Sequence, residues 1–113
     1  MDYTESMLEI VKSDTYERWF RKLKDRQAQV RINARILRVQ QSGHFGDVKP
    51  TRDGVSEMRI DHGPGYRVYF MLRGSVFVVL LAGGDKSTQD ADIKTAIKIA
   101  SLTVLSIPNR CRY

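Results

Sequence analysis

The chain has 113 residues, and its 19 lysines and arginines against 13 aspartates and glutamates give a formal net charge of +6. This length suits one domain, and the one cysteine, Cys111, excludes an internal disulfide framework. The longest apolar run, residues 76–82, is too short to cross a bilayer, and residues 1–6 lack the features of a secretion signal. We therefore expect a cytoplasmic protein with a polyanionic partner, which charge alone leaves open between RNA, DNA, an acidic protein and anionic lipid.

The first part of the chain predicts a strand and two helices. Residues 7–11 are apolar and indicate a strand, and Ser13-Asp14-Thr15 supplies N-cap residues for a helix. That helix carries an apolar stripe at i, i+3, i+4 and i+7, which favours a core role over base stacking: Tyr16, Trp19, Phe20 and Leu23. A second helix is predicted from about Asp25 to Gln41, ending at Gly43, with a buried side formed by Ala28, Ile32, Ile36 and Val39.

Three arginines fall on another side of the second predicted helix. Arg31, Arg35 and Arg38 follow at i, i+4 and i+7. Such a stripe is typical of a solvated helix face, and a binding face is the alternative.

The second part of the chain predicts a loop, three strands and a helix. Residues 43–54 read as a loop, and strands are expected over 55–61, 66–73 and 76–82. The last of these is apolar on both faces and should lie inside the sheet. Residues 83–88 break the pattern, and Ser87 or Thr88 is expected to cap a helix that runs to about Leu102. The order β-α-α-β-β-β-α indicates an α+β fold, with an antiparallel-rich sheet, two N-terminal helices on one face and a C-terminal helix. We expect one domain over residues 1–101 and an extension over 102–113.

The apolar pattern of the first two meander strands fixes their register. Setting Met58 opposite Val68 keeps the apolar residues on one face, and the same register sets Arg59 opposite Arg67. Like charges directly opposite each other destabilise a sheet, so the pair favours an anion between them, and guanidinium groups bind phosphate bidentately. The alternative is that each arginine is neutralised by Glu57 or Asp61 on the same face.

Two further side chains on this face suit a polyanion. Lys86 lies where the apolar strand breaks, next to the amides of the last predicted helix, so we expect it to reach the arginine pair. Tyr69 shares the face of Arg67, and its ring could stack on a base, although packing is the more usual role of a sheet tyrosine. His44 and His62 both lie in predicted loops. No conventional nucleophile motif, phosphate-binding loop or metal-ligand spacing is present in the sequence, and no cofactor is expected.

At these residues the sequence resembles the RelE/ParE toxin superfamily, and within it the HigB-like addiction module killer proteins. The resemblance covers about residues 7–101. Its runs are FGDVKP at 45–50, GVSEMRI at 54–60, GPGYRVYF at 63–70, LAGGDKSTQ at 81–89 and Asp92-Ile93.

The resemblance implies a toxin of a type II toxin–antitoxin pair, a metal-independent endoribonuclease that cuts mRNA on the ribosome and inhibits translation. Arg67 then corresponds to the arginine that stabilises the transition state, Lys86 to a basic catalytic residue and Arg59 to the basic residues of the preceding strand. The implied partners are the ribosome, mRNA and an antitoxin of the helix-turn-helix kind, with DNA reached only through the antitoxin complex and no membrane involved. On this basis we expect RNA contacts from Lys49, Arg52, Tyr69 and His62, and antitoxin contacts from Arg31, Arg35 and Arg38. The alternative is an antitoxin that covers Arg59, Arg67 and Lys86 directly.

One departure from the family pattern concerns proton transfer. Where well-studied RelE-like nucleases have a tyrosine in the last segment, this chain reads Gln89-Asp90-Ala91-Asp92, so the base is left open between Asp90, Asp92, His62 and a group of the ribosome. Two other functions also remain open: a binding-only toxin acting on DNA gyrase, as in ParE-like proteins, and an inactive antitoxin-binding module.

Overall fold

The computed structural model describes residues 8–74 and 76–106, except for the side chains of 103–106. Sequence predictions that concern residues 1–7, Ser75 or residues 107–113 lie outside the described residues. In chain order the elements are β1 (Glu9–Lys12), α1 (Asp14–Arg21), α2 (Arg26–Ser42), β2 (Val48–Pro50), β3 (Ser56–Ile60), β4 (Tyr66–Arg73), β5 (Phe77–Asp85), a 3-10 turn (Lys86–Thr88) and α3 (Gln89–Ser106).

The strands form one sheet in the order β1-β5-β4-β3-β2. β1 pairs with β5 in parallel, while β2 to β5 form an antiparallel meander. The predicted α+β fold and the interior place of β5 are therefore confirmed. The predicted register is also confirmed, because Met58 pairs with Val68 and Arg59 with Arg67.

Local signals fix the helix ends. Ser13 is the N-cap of α1, and its hydroxyl accepts a hydrogen bond of 2.9 Å from the Tyr16 amide. Asp25 caps α2 by accepting from the amides of Gln27 and Ala28. Gly43 ends α2 in the left-handed conformation, with φ of 75°, a conformation that glycine adopts without the steric cost of a side chain.

Each sheet face has its own hydrophobic core. α1 and α2 cover one face, where the predicted buried residues Ile32, Ile36 and Val39 pack with Met58, Val68 and Leu80. Trp19 is partly buried against this core and lies over Gly83 of β5. α3 covers the other face, where Ala96 and Ala100 pack with Tyr69, Val79 and Leu81. Helices thus hold the central strands from both sides.

The structure corrects the sequence prediction at the boundaries. Within the predicted loop 43–54, Val48–Pro50 forms the edge strand β2 by pairing with β3. β5 continues through Gly83, Gly84 and Asp85 instead of breaking at Gly83. A 3-10 turn, Lys86–Thr88, precedes α3, and its N-cap is Asp85, whose carboxylate accepts from the Ser87 amide. α3 runs to Ser106, beyond the predicted end near Leu102.

Candidate active site

The three predicted catalytic cations line one groove at the end of the sheet. The groove has a volume of about 370 Å³. It is lined by Asp47, Arg59, Ile60, Asp61, Gly65, Tyr66, Arg67 and Lys86. The β3–β4 register brings Arg59 and Arg67 together, and the end of β5 brings Lys86 beside them.

Arg67 is held by a buried carboxylate. Its Nε donates to Glu57 Oε2 at 3.2 Å, and the two side chains are 11% and 1% exposed. The other oxygen of Glu57 accepts from Gln89 Nε2 of α3 at 3.0 Å. The Nη1 atom of Arg67 is buried and has no hydrogen-bond partner within the described part of the chain. The expected alternative, that Glu57 neutralises Arg67, is therefore confirmed, and Nη1 remains a buried donor without a described partner.

Arg59 is paired less tightly. Its Nη2 lies 3.2 Å from Asp47 Oδ1, and the side chains are 38% and 59% exposed. Its backbone amide also donates to the Asp47 carbonyl at 2.9 Å. The expectation that Asp61 neutralises Arg59 is wrong, because Asp47, a residue of the predicted loop, pairs with Arg59 instead. Such an exposed pair contributes little to stability and opens readily to another anion.

Lys86 is presented by a capped turn. Asp85 accepts from the Ser87 amide at 2.8 Å and from its hydroxyl at 2.6 Å, and these hydrogen bonds lower the pKa of Asp85. Lys86 itself is exposed, and no described residue forms a hydrogen bond or ion pair with its ammonium group. Its stem lies against the Gly65 turn. Of the three cations in the groove, Lys86 is thus the one without a partner among the described residues.

The arginine stripe of α2 divides into two roles. Arg35 is half-buried, and its guanidinium donates to the carbonyl oxygens of Arg59 and Phe45, both at 2.7 Å. Burial lowers the pKa of Arg35, and these bonds attach α2 to the wall of the groove. Arg31 and Arg38 are exposed, and no described residue forms a side-chain hydrogen bond or ion pair with either guanidinium group. They line a second cleft of about 320 Å³, which shares Ile60 and Asp61 with the groove.

The aromatic side chain at the groove is not the predicted one. Tyr69 is fully buried under α3, so its ring is not accessible for stacking on a base, and burial raises its pKa. Tyr66 lines the groove instead, with its ring 6.5 Å from the rings of both His62 and Trp19. Sequence reasoning missed Tyr66 because alternation placed it on the core face. At the end of its strand, however, the ring borders the open groove.

The other predicted RNA contacts lie outside the groove. His62 sits behind Tyr66, with Nε2 2.9 Å from Asp25 Oδ2. Lys49 is on the edge strand β2, opposite Glu57, and Arg52 is in the turn that follows. Both cations are exposed, and neither lines the groove.

The predicted candidates for the base are also occupied elsewhere. Asp90 Oδ2 lies 3.6 Å from Lys94 Nζ. Asp92 accepts a hydrogen bond of 2.5 Å from the Thr88 hydroxyl, and burial raises the pKa of Asp92. Neither aspartate lines the groove, whereas Asp61 does.

Over residues 8–74 and 76–106, no group of three or more His, Cys, Asp or Glu side chains could hold a metal ion, and no helix is long and apolar enough to span a bilayer. The three cations that line the groove suit the binding of a phosphodiester and the stabilisation of charge on it.

This chain is similar in sequence to one curated protein and in fold to solved structures. An uncharacterized protein of Haemophilus influenzae is 55% identical over 86 residues, which span 76% of this chain and 86% of that protein. The structure of the E. coli toxin RelE in the free state, an arginine-to-alanine double mutant, matches with a TM-score of 0.60 and 13% identity over 78% of this chain and 96% of that one. The E. coli RelBE toxin–antitoxin complex matches with a TM-score of 0.57 and 14% identity over 69% of this chain and 95% of that one. At these identities the two structures establish a RelE-like fold.

A family model matches most of the chain. The model is described as Phage derived protein Gp49-like (DUF891), and it covers residues 18–102. This range contains every strand of the meander and every residue that lines the groove. The chain is therefore a member of the Gp49-like family of phage-derived proteins, with a RelE-like fold.

Proposed function

We propose that this protein is the toxin of a type II toxin–antitoxin pair, of the HigB-like kind, and that it cleaves mRNA on the ribosome without a metal ion. The observation that carries the proposal is the groove in which Arg59, Arg67 and Lys86 converge. The likeness to a RelE toxin and to a RelBE toxin–antitoxin complex supports it at the level of the fold. The partners required are the ribosome, mRNA and a cognate antitoxin, so the protein acts in the cytoplasm and meets DNA only through the antitoxin complex.

The reaction that fits the groove is attack by a ribose 2′-oxygen on the adjacent phosphorus. The new P–O bond closes a 2′,3′-cyclic phosphate as the bond to the 5′-oxygen breaks, and the proton lost by the 2′-hydroxyl is matched by one gained by the leaving oxygen. Arg67 and Arg59 hold the non-bridging oxygens, and Lys86 adds a mobile positive charge. Cationic donors fixed in place before the reaction stabilise the extra charge of the pentavalent transition state.

Proton transfer is proposed for Asp61 together with groups of the ribosome. Asp61 lines the groove, and no described residue forms an ion pair with it. Asp47, the other carboxylate that lines the groove, is paired with Arg59. On this view, Asp61→Asn lowers the cleavage rate by about 100-fold, the usual contribution of one acid–base group.

The experiment that tests the proposed function is primer extension on cellular mRNA after brief induction of the protein. Breaks phased with codons support a ribosome-dependent endoribonuclease. Intact mRNA together with arrested DNA replication would instead identify a binding-only toxin that acts on DNA gyrase, and the absence of both effects an inactive antitoxin-binding module.

The variant Lys86→Ala tests the assignment of the catalytic residues most directly. Because its ammonium group has no described partner, Lys86→Ala should leave stability unchanged and lower cleavage by about 100-fold or more. Lys98→Ala, which removes an exposed lysine of α3 outside the groove, is the matched control and should cleave like the parent. Equal cleavage by the two variants would contradict the assignment of Lys86.

A further inference from the structure

The outward face of α2 is apolar where a solvated helix should be polar. Val30 and Leu37 are 64% and 49% exposed, and Ala34 between them is also exposed. Their spacing of i, i+4 and i+7 places them in one line, on the side opposite the buried Ile32 and Val39. An amphipathic helix normally presents charged or polar residues at this position. We call the line Val30–Ala34–Leu37 the α2 stripe.

Unpaired positive charge borders the α2 stripe on one side. The guanidinium groups of Arg31 and Arg38 have no hydrogen bond or ion pair with another described residue, whereas the guanidinium of Arg35 between them donates to backbone carbonyls. With Ala34 of the stripe, these arginines line the second cleft, in which Asp61 is the one acidic residue among those lining it. The surface therefore combines a helix-packing seam with a positive border.

We propose that the α2 stripe and its arginine border bind an acidic amphipathic helix of another protein. Residues at i, i+4 and i+7 span about 10 Å of helix axis, which matches two turns of a helix packed alongside. Carboxylates next to the partner's apolar seam would meet Arg31 and Arg38, as charged side chains flank the seam of a coiled coil. Identifying this partner with the antitoxin rests on the proposed function, whereas the binding itself does not.

Charge argues against other occupants. A second copy of this chain, packed stripe to stripe, would bring Arg31 and Arg38 against the same arginines, and like charges across an interface disfavour it. RNA would meet the arginines but gain nothing from Val30 and Leu37, whose apolar surface it cannot cover as a helix seam does. An acidic helix satisfies both features of the surface.

The test uses two designed helical peptides of about 20 residues, which are about 30 Å long when helical. The acidic peptide has leucines at i, i+4 and i+7 flanked by glutamates, and the basic peptide has lysines in place of the glutamates. Binding to the full chain, carrying Lys86→Ala to suppress toxicity, is measured by fluorescence anisotropy and mapped by amide chemical shifts. We expect the acidic peptide alone to bind and to shift the amides of residues 30–38.

Paired variants separate the two features. Val30→Ser/Leu37→Ser and Arg31→Glu/Arg38→Glu should each weaken the acidic peptide by about tenfold or more, the scale of a lost interface contact. The matched controls are Leu72→Ser/Val76→Ser, which are exposed apolar residues elsewhere, and Arg18→Glu/Arg21→Glu, which change net charge equally on α1. Both controls should bind within about twofold of the parent. The charge-reversed variant should bind the basic peptide instead.

Several results would overturn the proposal. An acidic peptide that fails to bind, or shifts that map to the groove of Arg59 and Arg67, would show that the α2 stripe is not the docking surface. Sensitivity to the arginine pair but not to Val30 and Leu37 would indicate a polyanion such as RNA. Concentration-dependent dimers lost in Val30→Ser/Leu37→Ser would indicate a second copy, and binding of the stripe to phosphatidylglycerol vesicles would indicate lipid. Because codon-phased mRNA breaks are read without any peptide, failure here and failure of the proposed function are distinguishable.

Discussion

Replacing Arg67 by Met should destabilise the fold as well as abolish cleavage. The substitution keeps an apolar stem of similar length but removes the cation from Glu57, which is 1% exposed. Breaking a buried ion pair from one side costs about 3–5 kcal/mol, because an uncompensated charge stays buried. Gln89 still donates to Glu57, so we expect the lower end of that range, about 3 kcal/mol.

The measurement is a double-mutant cycle by urea denaturation in the Lys86→Ala background. With a denaturant slope of about 1.5 kcal/mol/M, a loss of about 3 kcal/mol lowers the urea midpoint of Arg67→Met by about 2 M. Arg67→Met/Glu57→Gln removes both charges and should recover most of that loss, to within about 1 kcal/mol of the background. All Arg67 variants should fail to cleave mRNA when tested without Lys86→Ala.

Two results would refute this reasoning. If Arg67→Met were as stable as its background, the contact with Glu57 would contribute nothing to the free energy of unfolding. If the double variant were as unstable as the single one, the cost would come from lost packing and not from the buried charge. Only in the first case could a loss of cleavage in Arg67 variants be assigned to chemistry alone, because in the second case the variants are destabilised.

Three further predictions concern the surroundings of the groove. Gly83→Ala should cost about 1–3 kcal/mol in urea denaturation, because a Cβ there would overlap the Trp19 ring, and Trp19→Leu should reduce that penalty. Tyr69→Phe should change stability by no more than about 1 kcal/mol and leave cleavage intact, because the buried hydroxyl has no described partner; a large loss of cleavage would contradict the burial argument. The hydrogen bond from His62 lowers the pKa of Asp25, so its stabilisation is present above the unfolded pKa and lost as pH falls through the folded value. The difference in urea midpoint between the parent and Asp25→Asn should therefore shrink as pH is lowered from 5 to 3, and a constant difference would contradict it.

Local signals in the sequence predicted the features that depend on neighbouring residues. Ser13 and Gly43 end their helices through contacts within a few positions of the chain. The alternation around Met58 and Val68 fixed the β3–β4 register, because a slip of one residue would turn the apolar side chains to the wrong face. The pairing of Arg59 with Arg67 follows from that register alone. The cap by Asp85 could also have been predicted, because an aspartate carboxylate in a turn commonly accepts a hydrogen bond from the amide two residues later.

What the sequence could not predict depends on contacts between distant segments. Val48–Pro50 has three residues and a proline, and it becomes a strand only because β3 offers it a partner. Base stacking by Tyr69 was left open because nothing local in the sequence shows that α3 covers its face of the sheet. The pairing of Asp47 with Arg59 and the bond from Gln89 to Glu57 join residues far apart in sequence, and neither has a periodic signal.

The run of residues 83–89 acts as one structural unit that links the fold to the groove. Consecutive strand residues face opposite sides of a sheet, so Gly83 lies under Trp19 of α1 and Gly84 under Asp92 of α3. A side chain at either position would hold a helix away from β5. Gly84 also pairs with Arg67 across the sheet, so the close approach that it permits brings the start of α3 next to the arginine.

The residues that follow Gly84 place two side chains at the site, those of Lys86 and Gln89. Asp85 caps the turn that presents Lys86 to the groove, and Gln89, in the first turn of α3, donates to Glu57. Because Glu57 in turn accepts from Arg67, the position of the guanidinium depends on the placement of α3. The glycine pair therefore affects the site indirectly. It allows the close approach of α3 to β5, and this approach determines the positions of Arg67 and Lys86 relative to each other.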